Sequence, residues 1–167
     1  EIPATLIQMV AALEEIVWAM NPQHDSAASV VSYFSFFADR FLGLANIRLK
    51  IESAANVADL VMDARMRHQL FLGFKEALTN VVNHSGATEV RLGFSIAENA
   101  FCVSVADNGR GLPPGPQTNG QDGIAHMRTR AVKLGGQFEL SSGPGAGTKV
   151  SFSVPLILLV DTPWAIL

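Results

Sequence analysis

The sequence predicts an α+β fold: a two-layer α/β sandwich with a mixed, mostly antiparallel sheet and helices on one face. Stretches with apolar residues three and four apart interleave with stretches alternating every second residue. Their order is helix, helix, strand, helix, two strands, helix, two strands. The consecutive strands are joined by short turns, which makes them antiparallel neighbours. With 49% apolar and only 16% charged residues over a length of 167, the chain can bury a sizeable core.

Taken in order, residues 3–20 carry Leu6, Met9, Val10, Leu13, Ile16, Val17 and Met20 at helical spacing, with Pro3 tolerated near the start. This helix is apolar nearly all round, so it is expected to pack as core or to be the end of a longer helix. Asn21-Pro22 stops it, because a residue before proline is pushed out of the α region. Asp25 or Ser26 then caps a second helix reaching about Leu44, with Val30, Tyr33, Phe34, Phe37, Phe41 and Leu44 inward. Trp18 and the cluster Tyr33, Phe34, Phe36 and Phe37 read as core.

Residues 46–52 set Ile47, Leu49 and Ile51 against Arg48, Lys50 and Glu52, a half-buried strand. Asp63 caps the next helix, whose apolar series Leu70, Phe74, Ala77, Leu78, Val81 and Val82 carries it toward Ala87. Strands over 89–96 and 101–106 form a hairpin through Glu98-Asn99. A Gly/Pro-rich loop fills 107–122. A helix over 123–134 ends at Gly135-Gly136, and strands over 137–141 and 148–154 flank the turn 143–147.

Composition also excludes. The net charge of −3 gives no electrostatic case for nucleic acid or an anionic membrane. A lone cysteine, Cys102, rules out an internal disulfide and fits a reducing, cytoplasmic setting. No apolar run approaches the ~20 residues that span a bilayer, and the first residues lack the basic region of a signal peptide.

Four segments carry chemistry. Glu76 and Asn80 stand four apart on the long helix, so both face one way about a turn apart. A carboxylate and a carboxamide so placed suit a hydrated divalent cation such as Mg²⁺, which takes oxygen ligands and keeps waters and phosphates in its shell. Asp107-Asn108-Gly109-Arg110-Gly111 follows an apolar strand. Its carboxylate can accept from an exocyclic amine, and its glycines let backbone approach a flat ring. Gly120-Gln121-Asp122-Gly123-Ile124 opens a helix whose free N–H groups suit phosphate. Gly143-Pro144-Gly145-Ala146-Gly147-Thr148 enters the last strand. Taken singly these are a solvated pair, a turn, a capped helix and a hairpin.

In this order they closely resemble the asparagine box and three glycine boxes of the GHKL superfamily of ATPases, which includes gyrase, heat-shock chaperones, histidine kinases and MutL-like proteins. The stretches LFLGFKEALTNVVNHSGA and GIAHMRTRAVKLGG resemble sensor histidine kinases of the nitrate/nitrite-sensor-like group. The resemblance covers residues 45–155. It implies ATP and Mg²⁺ as cofactors, with Asn80 as metal ligand and Glu76 ordering or activating water or the metal shell. Asp107 would bind the adenine amine, and Gly109 and Gly111 would shape the base pocket. Gly120, Gly123 and Ile124 would lie under a lid near the phosphates, and Thr148 would support the adenine end. The chain departs from many such kinases in having Asn83-His84 after the asparagine, and two residues rather than one between Gly120 and Gly123. His84, Arg128 and Arg130 therefore read as structural or solvated.

The resemblance divides the chain into residues 1–24, the end of a dimerisation helix and its connector; 25–155, the ATP-binding catalytic domain; and 156–167, a tail resembling the start of a receiver domain or an end effect. It implies a histidine protein kinase whose phospho-acceptor lies on a dimerisation domain outside this chain, a cognate response regulator, and a homodimer for the intact protein. It implies no nucleic acid, and no membrane contact by this part. An anti-sigma-factor-type serine kinase and a non-catalytic nucleotide-binding regulatory module are the rival readings.

Overall fold

The hairpin at the centre of the sheet closes as tightly as its sequence allows. Ala97 pairs with Ala100, and Glu98 and Asn99 between them both adopt positive φ, at 50° and 60°, the turn whose twist matches paired strands. In the computed structural model, which describes residues 4–53, 57, 60–114 and 121–156, this hairpin joins β2 (Glu89–Ala97) to β3 (Ala100–Asp107). The other strands are β1 (Arg48–Ser53), β4 (Gln137–Ser142) and β5 (Thr148–Pro155). The order across the sheet is β1-β2-β3-β5-β4, with β1 parallel to β2 and every other pair antiparallel.

Alternation sorts the two sheet faces. Val90, Leu92, Phe94, Phe101, Val103, Val105, Val150, Phe152 and Val154 are buried on one face. The opposite face carries Arg91, Ser95, Cys102, Ser104, Ser151 and Ser153, which remain half-buried or exposed. The helices α2 (Ala27–Leu44), α3 (Ala64–Asn80) and α4 (Gln121–Lys133) supply the rest of one core through Phe34, Leu42, Phe71, Phe74, Leu78 and Met127. Burying each such side chain contributes about 1.5–3 kcal/mol.

Helix α1 (Ala4–Met20) docks by its C-terminal end. Trp18 and Ala19 are buried, and the indole stacks on Tyr33 of α2 at 3.9 Å. Glu15 reaches Lys75 of α3 at 3.0 Å. Arg67, fully buried in the first turns of α3, ties the junction together. Its guanidinium donates to the Ala19 and Asn21 carbonyls at the end of α1, to the Met62 carbonyl, and to the Asp25 carboxylate.

Several expectations change. Ser26, not Asp25, caps α2, accepting from the Ser29 amide at 3.1 Å; Asp25 follows a short 3₁₀ turn, Pro22–His24, and is taken by Arg67. Leu44 is 89% exposed, on the side of the last turn of α2 away from the buried Leu42, and Phe36 faces solvent with the Arg40 guanidinium 5.5 Å over its ring. Ile51 lies on the core side of edge strand β1 but is 47% exposed. The long helix does not run evenly to its end: past Asn80 it widens into a π turn, Val81–Ser85, and stops at Gly86 with φ 64°. The tail 156–167 lies outside the described residues except for Leu156, which is buried.

Candidate nucleotide site

The site is assembled by stapling three loops to one another beyond the ends of the strands. At the end of α3, the Ser85 hydroxyl donates to the Val81 carbonyl at 2.6 Å and accepts from the Ala87 amide at 3.0 Å, which holds the π turn against its strand. The loop after β3 locks onto it. The Arg110 amide donates to the Ser85 carbonyl at 2.9 Å, and the Arg110 side chain donates to the His84 carbonyl at 2.7 Å. The Asn108 carboxamide accepts from the Thr88 and Glu89 amides at 2.9 and 3.0 Å. Gly109 packs so closely on Ser85 that a Cβ there would collide with its carbonyl.

The β4–β5 turn locks onto the same loop from the other side. The Gly145 amide donates to the Arg110 carbonyl at 2.7 Å. Gly111 and Gly147 both have φ 73°, in the left-handed region glycine alone enters cheaply. A Cβ at Gly111 would strike the Gly143 carbonyl, and one at Gly147 the Asp107 carbonyl. Asp107 and Thr148 stand opposite each other at the end of the β3–β5 register.

Between these loops, the end of α3 and the start of α4 opens a cavity of about 640 Å³, the size range of small-molecule sites. Asn80, Asp107, Gly111, Ile124 and Thr148, expected from four separate sequence segments, all line it. Its floor is apolar, from Val105, Met127 and Val150, suiting a flat ring. The Asp107 carboxylate is fixed at one oxygen, Oδ1, by the Gly109 amide at 2.8 Å, while Asp107 still lines the cavity.

The remaining expected residues fall elsewhere. Gly109 lies behind the cavity as packing. Glu76 lines a smaller polar groove between α3 and α4 with Thr79, His126 and Arg130. Gly123 touches that groove, since a Cβ there would collide with Glu76 Oε1. Gly120 lies outside the described residues. Arg128 stacks over Phe138 at 5.3 Å and Arg130 donates to Gln69 at 2.7 Å, so both are engaged structurally. His84, read as structural or solvated, does line the cavity.

Two residues of the site escaped the sequence reading. Arg110 lines the cavity, and its place inside the glycine-bearing DNGRG segment was the available signal. Ser142 bonds to both glycine loops, and the second serine of the Ser141-Ser142 pair before a glycine turn gives no signal of that.

A family model for the histidine kinase-, DNA gyrase B-, and HSP90-like ATPases matches residues 66–158. The chain belongs to this family of ATPases, and its ATP-binding domain is similar to those of sensor histidine kinases. It is similar to the nitrate/nitrite sensor protein NarQ of Escherichia coli K12, with 32% identity over 105 residues, 62% of this chain and 19% of that protein. It is also similar to the sensor histidine kinase LiaS of Bacillus subtilis, with 31% identity over 101 residues, 60% of this chain and 28% of that protein. The sensor protein VraS of Staphylococcus saprophyticus is 32% identical over 87 residues, 52% of this chain and 25% of that protein. The matches thus span less than a third of each of these relatives.

Among solved structures, the histidine kinase domain of the Erythrobacter litoralis EL346 blue-light activated histidine kinase superposes with a TM-score of 0.64 at 23% identity, covering 76% of this chain and 65% of that one. The Acinetobacter baumannii histidine kinase AdeS gives 0.58 at 16% identity, covering 91% and 79%. These two likenesses establish the fold.

Proposed function

We propose that this chain binds ATP with Mg²⁺ in the 640 Å³ cavity and presents the γ-phosphoryl group to a histidine on a dimerisation domain outside the chain. The observation that carries the reading is convergence: residues from four separate segments, Asn80, Asp107 with Gly111, Ile124 and Thr148, meet at one cavity with an apolar floor. Asp107 takes the exocyclic amine of adenine, Thr148 stands beside it, and Val105 and Val150 lie under the ring. The phosphates run toward Asn80 and the start of α4, where Arg110 and His84 stand at the cavity wall.

The donor set fits a hard cation. Asn80 offers a carboxamide oxygen and Glu76, one turn earlier, a carboxylate; neither side chain is engaged in a hydrogen bond among the described residues. No group of three or more His, Cys, Asp or Glu is present among the described residues, so a cation here takes most of its shell from waters and phosphates, as Mg²⁺ commonly does. When bound, it neutralises phosphate charge. Asn80 would hold it and Glu76 would order its water from the groove side. Catalysis would then be positioning and charge stabilisation, as phosphoryl transfer generally requires.

The exposed face of α1 supports a dimeric intact protein with residues 1–24 as the end of its dimerisation helix. Met9, Leu13, Ile16, Val17 and Met20 are 46–65% exposed on a helix whose other side is docked through Trp18. A response regulator would receive the phosphoryl group in turn. Among the described residues no helix is long and apolar enough to cross a membrane.

None of the four histidines suits the acceptor role. His24 ends a 3₁₀ turn near Trp18, His68 lies beside Glu15, His84 belongs to the cavity wall, and His126 sits on α4. Incubated with γ-labelled ATP and Mg²⁺, the chain should gain no acid-labile phosphate, while a dimerisation domain of the same protein supplied alongside should be labelled. Label on the chain itself that vanishes in His24→Gln would overturn this reading.

A further inference from the structure

The last residue of β4, Ser142, holds a place in the site that no glycine segment includes. Its hydroxyl meets three groups. The Leu112 amide donates to it at 2.8 Å, it donates to the Gly147 carbonyl at 3.0 Å, and the Thr148 hydroxyl lies 2.9 Å away. A serine hydroxyl has one proton and two acceptor lone pairs. The Leu112 amide can only donate and the Gly147 carbonyl can only accept, so the Ser142 proton goes to Gly147. One lone pair then takes the Leu112 N–H, and the other takes the proton of Thr148.

Thr148 thereby becomes the donor to Ser142, and its own lone pairs are left for the cavity that it lines. Asp107, its partner in the β3–β5 register, presents carboxylate oxygens, which accept. Both polar groups at this end of the cavity are then acceptors. We infer that Ser142 is a positioning and specificity-determining residue for the nucleobase: by orienting the Thr148 hydroxyl as an acceptor, it selects a purine bearing an exocyclic amine over one bearing a carbonyl at that position. Without Ser142, the Thr148 proton is free to turn into the cavity and donate to a carbonyl. The inference rests on the reading of the cavity as a nucleotide site.

The test is calorimetric titration of the unmutated chain, Ser142→Ala and Ser142→Thr with ATP, GTP and purine riboside triphosphate, which lacks the exocyclic amine. Loss of one well-made hydrogen bond to the base should lower ATP affinity about fivefold in Ser142→Ala. GTP affinity should hold or rise, and the amine-free analogue should change less than about twofold, because the missing bond was never made. Ser142→Thr restores the hydroxyl and should restore the preference for ATP. Equal losses for ATP and the amine-free analogue, or an unchanged ATP-to-GTP ratio in Ser142→Ala, would overturn the inference and leave the nucleotide site standing. Absence of ATP binding by the unmutated chain would overturn the nucleotide site itself, and this inference with it.

Discussion

Asp107 and the glycines around it place the base-reading end of the site within a single contact of backbone. Replacing Asp107 by Asn exchanges a pure acceptor for a group that also donates, and leaves the amine poorly matched. ATP binding should weaken by about 1–3 kcal/mol, the cost of an unpaired buried polar group, while GTP binding changes less; equal weakening of both by calorimetry would remove Asp107 from base recognition. Gly147 and Gly145 give a matched pair. Both have positive φ, 73° and 71°, but a Cβ at Gly147 strikes the Asp107 carbonyl whereas one at Gly145 meets nothing within 4 Å. Gly145→Ala should cost only the left-handed strain of about 1–2 kcal/mol. Gly147→Ala should cost that and also displace Asp107, so thermal melting and ATP affinity both fall further. Equal effects from the two would contradict the interlocked loops. At this scale the resemblance to the glycine boxes pointed to Asp107, Gly111 and Thr148, and all three line the cavity. It did not show Ser142, whose importance comes from three partners that only the folded loops bring together.

Among the elements, α3 does the most. It carries Asn80 at its end, Lys75 and Arg67 toward α1, and Phe74 and Leu78 into the core. Its amphipathic pattern and Asp63 cap were legible, and the cap is seen in the bond from the Met66 amide at 2.7 Å. The π turn that follows was not legible, because one extra residue per turn barely disturbs a three-and-four spacing. Nor was the clamp of Arg67, since a charged residue near a helix start reads as solvated. Arg67→Met should destabilise the chain by about 2–4 kcal/mol, because the Ala19, Asn21 and Met62 carbonyls and Asp25 lose their donor. A shift in the urea midpoint equivalent to less than about 0.5 kcal/mol, the size of an ordinary surface change, would deny the clamp. The α1–α2 junction also predicts a pH effect. Burial first, then Glu15 and Glu14, raise the Tyr33 hydroxyl above its ordinary 10.0. The folded state therefore resists ionisation that the unfolded chain undergoes, so stability is intact below pH 10.0 and declines above it. Tyr33→Phe should lessen that alkaline decline in denaturation curves, and an unchanged decline would contradict it.

On the scale of the whole molecule, the two-layer α+β architecture was legible because the strands alternate and the helices after α1 each have one apolar side. The parallel pairing of β1 with β2 was not, since strand neighbours separated by α3 are chosen by packing rather than by local pattern. The same limit hid where Glu76 would point: spacing puts it on Asn80's side of the helix, but the packing of α4 gives it a separate groove. If, as proposed, Asn80 is the cation's protein ligand, Asn80→Ala should abolish the Mg²⁺ dependence of nucleotide binding with circular dichroism unchanged. If Mg²⁺ dependence persists, the ligand is another residue. On the proposed reading, this fold brings four sequence segments together to bind ATP with Mg²⁺. Isothermal calorimetry of the unmutated chain with ATP and GTP, each with and without Mg²⁺, tests this most directly. Saturable ATP binding is expected, strengthened by Mg²⁺, with GTP weaker by about tenfold or more, as a site with unmatched polar groups requires. Equal affinity for the two nucleotides, or binding indifferent to Mg²⁺, would contradict the proposed reading.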